Sequence, residues 1–133
     1  MHIEPDDLTR PEVLALLEEH LRNMYELTPP DKVFAFDVGR LRAPDVTFFT
    51  VWDEGQLLGC GALKELSPTE GEIKSMRTPA AARGRGAGRT VLEHLLAVAR
   101  ERGYRALFLE TGRQPEFGPA QQLYRSVGFV PCG

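Results

Sequence analysis

The chain has 133 residues, 42% of them apolar and 26% charged, with a formal net charge of −3. That is the length of one ordinary domain (residues 1–133), with enough apolar material for a core and no basic surplus of the kind that phosphate-binding nucleic-acid proteins carry. The two cysteines, Cys60 and Cys132, show no CxxC spacing and no neighbouring histidine at ligand distance, so they read as reduced thiols rather than as metal ligands. No basic segment followed by an apolar run opens the sequence, and no apolar stretch approaches the length of a membrane span. The expected address is the cytoplasm.

The first predicted element is a helix. Thr9 is in position to cap it, Glu12 stands in the capping-box position, and Pro11 is tolerated in the first turn. Val13, Leu14, Leu16, Leu17 and Leu21 then recur at helical spacing, and Thr28-Pro29-Pro30 is expected to close the element. Residues 31–45 show no clear period. From Val46 the pattern changes to β: Val46–Trp52 is rich in branched and aromatic residues, Asp53-Glu54-Gly55 is a turn, and Gln56–Leu66 forms a second strand. A turn over Ser67–Gly71 leads to a third strand, Glu72–Thr78, stopped by Pro79. Helical spacing resumes at Gly86, with Val91, Leu92, Leu95, Leu96, Val98 and Ala99 on one stripe and Gly103 as the stop. Ala106–Glu110 reads as a buried parallel strand. Pro119–Val127 reads as a short helix ended by Gly128, and Phe129-Val130 as the start of another strand. The predicted order is α, then a β-meander, then α-β-α-β.

The stretch that carries chemistry is Arg83-Gly84-Arg85-Gly86-Ala87-Gly88-Arg89, between a strand and a helix. Alternating glycines let a ligand approach the backbone, and the free N–H groups of a helix's first turn favour an anion such as phosphate. Arg77, Arg83, Arg85 and Arg89 concentrate positive charge in the same region. A Gly/Arg-rich surface turn before an amphipathic helix would look similar. A Walker A loop is excluded because no lysine follows Lys74. A dinucleotide fingerprint fails because its third glycine would fall on Arg89, and because a meander precedes the loop.

Two motifs in order, Arg83-Gly84-Arg85-Gly86-Ala87-Gly88 and Ala120-Gln121-Gln122-Leu123-Tyr124-Arg125-Ser126-Val127-Gly128-Phe129, make the chain resemble the GNAT superfamily of N-acetyltransferases over almost its whole length. The stretches CGALKEL and GEIKSMRT look like the small bacterial branch of that family. The resemblance implies an α/β (α+β) fold: a mixed, mostly antiparallel central sheet, splayed after Met76 and flanked by helices on both faces. It implies acetyl-CoA as co-substrate, without a metal, and direct transfer to an amine. The pyrophosphate would lie on backbone N–H groups of Arg83, Gly84, Arg85, Gly86, Ala87 and Gly88, with Arg89 alongside. The pantetheine arm would run beside Met76, Arg77 and Thr78, and an N–H near Met76 would serve the developing oxyanion.

Tyr124 takes the place of the tyrosine that protonates the leaving thiolate. Glu72 is the expected base, although Lys74, on the same face of its strand, favours the carboxylate and weakens it as a base; Glu110 is a second candidate. His2, His20 and His94 read as surface or packing residues. The family continues past the Gly-Phe motif into further strands, whereas this sequence stops at Gly133, so an apparently missing C-terminal strand and an edge open to a partner chain are expected. The acceptor is read as a small-molecule or peptide amine, with a cationic one favoured by the overall charge. Nucleic acid and membrane are not expected as partners, and a homodimer is compatible with the family. A non-catalytic acyl-CoA-binding module is the alternative to an enzyme.

Overall fold

The computed structural model describes residues 1–25, 38–79, 82, 84–109 and 118–130, with the backbone alone for 20–25 and 118–121. The elements are β1 (His2–Pro5), α1 (Pro11–Tyr25), β2 (Val46–Asp53), β3 (Gln56–Ser67), β4 (Glu70–Arg77), α2 (Ala87–Glu101), β5 (Ala106–Leu109) and α3 (Gly118–Ser126). They build one five-stranded sheet in the order β1-β2-β3-β4-β5. Neighbours are antiparallel except β4 and β5, which run parallel because α2 crosses between them.

Local sequence explains most boundaries. The β2–β3 turn has Glu54 at φ 51° and Gly55 at φ 80°, two positive values between the paired Asp53 and Gln56, which is the twist a two-residue hairpin favours. The second hairpin is tighter than the expected Ser67–Gly71 turn. Ser67 pairs with Glu70, so β4 begins two residues early, and the Thr69 carbonyl accepts N–H bonds from Arg105 (2.7 Å) and Ala106 (3.3 Å) at the start of β5. Helix α2 stops at Gly103 (φ 81°), where Tyr104 N–H donates to the Ala99 carbonyl and Gly103 N–H to that of Arg100, closing a Schellman motif. The end of α3 repeats this arrangement around Gly128.

Three expectations change. Thr9 does not cap α1: its N–H and hydroxyl both turn back to Asp7 Oδ1 (3.2 and 2.6 Å), and the Arg10 carbonyl accepts the first helical N–H groups, from Val13 and Leu14. A short side-chain turn at the aspartate outcompetes the cap. Strand β1 was not legible, because four residues ending in proline carry too little periodicity; it pairs with β2 from His2↔Trp52 to Pro5↔Phe49. Phe129 and Val130 are not strand, and Phe129 instead packs edge-on against Tyr124 at 6.2 Å. The Thr28-Pro29-Pro30 stop and residues 31–37 lie outside the described residues, whereas Val38–Leu41 forms a single helical turn.

Helices cover both faces, as expected. On one face Val13, Leu16 and Leu17 of α1 pack with Phe48, Trp52, Leu57, Cys60 and Ala62. On the other, Val91, Leu92, Leu95 and Ala99 of α2 pack with Phe49, Val51, Leu58, Leu63 and Ile73. Two strand glycines bring α2 close. A Cβ on Gly61 would lie 2.6 Å from Val91 Cγ1, 3.1 Å from Met76 Cγ and 3.2 Å from Leu95 Cδ1, and one on Gly59 would lie 3.2 Å from the Arg77 carbonyl and 3.7 Å from Ala87 Cβ.

The β-branched Val91 has one favoured helical rotamer and cannot swing away. Gly61→Ala is therefore expected to destabilise the fold by about 1–3 kcal/mol through overpacking. Urea unfolding would show this as a lower midpoint at unchanged slope, and a midpoint equal to that of the unsubstituted chain would contradict the packing described.

Candidate active site

Strand β4 supplies the centre of the site. Its pairing with β3 runs Glu72↔Lys64, Ile73↔Leu63 and Lys74↔Ala62, then skips one residue to reach Arg77↔Cys60. The extra residue is accommodated at Ser75, whose φ is 54°. A bulge of this kind bends a strand and re-aims its backbone groups. On its other side β4 pairs with β5 only from Glu70↔Ala106 to Ile73↔Leu109. From Lys74 to Arg77 the strand has no partner on that edge among the described residues. The last described pair lies three residues before Met76, where the splay was expected. Met76 itself packs on the α2 face, whereas Arg77 turns to the α1 face and pairs with Glu19 at 3.2 Å.

The glycine loop lies at the α2 face, beyond the end of β4. Gly84 and Gly86 have φ values of 83° and 82°, and a Cβ on either would meet nothing within 4 Å. Gly86 is the N-cap of α2 with no side-chain cap, and no acid occupies the first turn, so its N–H groups are left for an anion. Gly88 differs from the other two. It lies inside α2, and its Cβ would make ordinary contact with Leu123 of α3 (3.6 Å) and Thr78 Oγ1 (3.7 Å).

The described arginines of the cluster, Arg77, Arg85 and Arg89, are all engaged. Arg85 Nη2 pairs with Asp53 Oδ2 (2.9 Å) and its Nη1 donates to Gln56 Oε1 (3.2 Å), while Arg89 donates to Ser126 Oγ (2.9 Å) and pairs with Glu93 (3.6 Å). Arg83 lies outside the described residues.

Two contacts hold α3 against the first turn of α2: Leu123 beside Gly88, and Ser126 under Arg89. Tyr124, between them in sequence, packs into the α2-side core, where burial pushes its phenol above the ordinary tyrosine range. The hydroxyl is therefore protonated at neutral pH, and it makes no hydrogen bond among the described residues. Glu72 lies on the opposite face, its Oε1 3.4 Å from Lys74 Nζ, directly across from Lys64 on β3. The two candidate proton-handling groups thus stand on opposite faces of the sheet. Glu110 and the side chain of His20 lie outside the described residues. His94 packs edge-on against Phe49 at 4.7 Å, and His2 bonds to Glu4.

Sequence reasoning missed Ser75, Gly59 and Gly61. The two glycines were visible as isolated small residues inside a strong strand, a pattern that signals close backbone approach. Nothing in the residue types around Ser75 marks the bulge. Among the described residues no group of three or more His, Cys, Asp or Glu could hold a metal, and no helix is long and apolar enough to cross a membrane.

A mostly antiparallel five-stranded sheet with helices on both faces, and a glycine loop leading into an uncapped helix N-terminus, is the architecture of the GNAT acyltransferases. The chain belongs to the acetyltransferase (GNAT) family, which it matches over residues 11–129. It is 47% identical over 132 residues to the uncharacterized N-acetyltransferase YsnE of Bacillus subtilis (strain 168), covering 99% of this chain and 87% of that protein. It is 46% identical over 130 residues to the uncharacterized N-acetyltransferase YedL of Escherichia coli (strain K12), covering 98% and 82%. An IAA acetyltransferase of Azospirillum brasilense is 36% identical over 122 residues, covering 91% and 78%. Among solved structures, a ribosomal-protein-alanine N-acetyltransferase from Brucella melitensis biovar Abortus 2308 superposes with a TM-score of 0.72 at 19% identity, covering 100% of this chain and 95% of that one, which shows the shared fold.

Cys60 lies directly behind the bulge, where its thiol donates to the Ser75 carbonyl (3.3 Å) and burial pushes its pKa up to about 12. Below about pH 8.5 the folded and unfolded chains both keep this proton. Between there and about 12 only the unfolded chain releases it, so stability falls as pH rises. Cys60→Ala is expected to remove about one proton from the slope of unfolding free energy against pH between 9 and 11. Urea titrations at several pH values measure this, and an unchanged slope would refute the buried-thiol assignment.

Proposed function

We propose that the chain is an acetyl-CoA-dependent N-acetyltransferase that moves the acetyl group directly to the amine of a small molecule. The observation that carries this reading is the conjunction of an uncapped α2 N-terminus, open space over Gly84 and Gly86, and a β4 edge with no described partner beyond Ile73. These features fit a pyrophosphate followed by an extended amide chain. Backbone N–H groups of the Arg83–Gly88 loop would hold the phosphates, with Arg89 at the rim. The exposed Arg85–Asp53 pair is weak enough to yield to a phosphate. The β4 edge at Met76, Arg77 and Thr78, which has no described partner, would take the pantetheine amides as a strand takes its neighbour.

A solved structure described as a predicted acetyltransferase with acetyl-CoA, from Clostridium acetobutylicum, shares the fold (TM-score 0.73, 17% identity, 98% of this chain and 90% of that one). When bound, acetyl-CoA supplies an activated acyl thioester. In this reading the Ser75 bulge aims a backbone N–H at the carbonyl oxygen, where charge develops during attack. Glu72, on the α1 face, accepts the amine proton. Tyr124, protonated at neutral pH as an ordinary phenol is, donates its phenolic proton toward the departing sulfur on the α2 face. We place the enzyme in the cytoplasm.

A thermal-shift titration tests binding. Acetyl-CoA at about a hundred times its Kd should add about 2.7 kcal/mol, which raises the Tm by several degrees for a chain of this length. Gly86→Val should abolish that rise, because its side chain would be strained at a positive φ and would fill the open space. No rise with acetyl-CoA, or a rise with NAD instead, would sink the reading.

Tyr124→Phe is expected to lower kcat at least tenfold while the KM for acetyl-CoA stays within twofold, as measured by CoA release. Unchanged turnover would remove Tyr124 from the chemistry.

A further inference from the structure

We propose that the acceptor carries a carboxylate beside its amine, and that Lys64 and Lys74 seat this carboxylate in a cavity on the α1 face of the sheet. The proposal rests on the acetyltransferase reading above and adds the acceptor's charge class.

The cavity has a volume of about 220 Å³ and is lined by Arg40, Leu41, Asp45, Val46, Lys64 and Lys74, together with Ala43. Arg40, Lys64 and Lys74 bring three cations to it, against Asp45 in the lining and Glu72 beside Lys74. Leu41 and Val46 belong to the α1-side core, so the cavity lies on the face opposite the glycine loop. Lys74 is the first β4 residue on this face beyond the last described β4–β5 pair, and it immediately precedes the Ser75 bulge. The cavity therefore reaches the end of the described β4–β5 pairing, on the face opposite the one proposed for the cofactor.

The charges are arranged for an ampholyte. Lys64, half-buried, makes no hydrogen bond or ion pair among the described residues, and a sequestered cation without a partner favours an anionic ligand. Lys74 is paired with Glu72, and Glu72 stands directly across from Lys64. A carboxylate on the lysines would leave the neighbouring amine facing Glu72, the proposed proton acceptor. The transfer keeps its balance: the N–C bond forms, the C–S bond breaks, the amine proton passes to Glu72, the sulfur takes one from Tyr124, and the acceptor's carboxylate is unchanged. The volume is below the roughly 300–1,000 Å³ of drug-sized sites and suits a ligand of amino-acid size.

A second, larger groove of about 530 Å³ between α1 and the β2–β3 turn is lined by Glu12, Glu19, Glu54, Leu57 and Pro79. It would favour a cationic acceptor, but it lies past Arg77, and Glu19 is already committed to that arginine.

The test compares initial rates of CoA release with amino acids, their carboxamides and spermidine, at saturating acetyl-CoA. The acids are expected to exceed their amides at least tenfold in kcat/KM. K64Q should cut that ratio at least tenfold, chiefly by raising KM for the acid, and K64E should cut it further. The rise in Tm with acetyl-CoA identifies variants that are folded and competent for the cofactor. If amides or spermidine match the acids, if K64Q keeps the preference, or if no amino acid is acetylated while acetyl-CoA still raises the Tm, the acceptor proposal is overturned and the cofactor reading stands. If acetyl-CoA raises no Tm, both fall together.

Discussion

Contact between α2 and β3 at two glycines sets the geometry on which the site depends. Ala87 lies over Gly59, and Val91 and Leu95 lie over Gly61, so the helix axis sits as near the sheet as backbone allows. The first turn of α2 is thereby held beside Thr78 at the end of β4, and its uncapped N–H groups face the space beyond that strand. A methyl group at Gly61 would press on Val91 and push the helix, with the glycine loop before it, away from the sheet. Close packing transmits such shifts because interiors are too dense to absorb them. The same turn anchors α3 through Leu123 and Ser126, so the proposed proton donor, Tyr124, inherits its position from the same contact.

The bulge at Ser75 performs the complementary task. A regular strand would continue in register with β3 and present its groups evenly, whereas the extra residue turns one peptide unit out of the ladder. The positive φ at a non-glycine residue is costly and persists where surrounding contacts enforce it. Here Cys60 holds the Ser75 carbonyl from one side, and Met76 is packed against the α2-side core from the other. The described β4–β5 pairing ends at Ile73↔Leu109, two residues before the distorted peptide. Strain and the end of that pairing thus fall within a few residues of one another on a single strand.

Much of this organisation was legible in the residues. The meander, the α2 stripe and the Gly103 stop followed from periodicity and turn chemistry, and the strand-loop-helix context made the glycine run stand out from a surface turn. What stayed hidden depended on tertiary pairing. Strand β1 is held by β2 alone and has no period of its own, and the cap at Thr9 was lost to Asp7, two residues away. The bulge is a register difference between two strands, a quantity that neither strand carries by itself. The arginine cluster was read as one region of concentrated positive charge, whereas Arg77 faces α1 and Arg85 faces the β2–β3 turn.

Charge shows the same division between total and local. A net charge of −3 argues for a cationic acceptor only if the acceptor responds to the protein as a whole, and at physiological ionic strength that field is screened beyond about 8 Å. A ligand seated against the sheet responds instead to groups within a few ångströms in a poorly solvated cavity, where each charge counts for more. Glu12, Glu19 and Glu54 line the larger groove, whereas Lys64 and Lys74 line the smaller cavity. Glu19 of the groove is paired with Arg77. An acceptor with both an amine and a carboxylate would be oriented by that alternation, its anion drawn to Lys64 and its amine turned toward Glu72. A simple diamine would be repelled by the cations that line the smaller cavity. Orientation of this kind is part of catalysis, because the nucleophile must arrive aligned with the thioester carbonyl, and two fixed charges align a small molecule better than one.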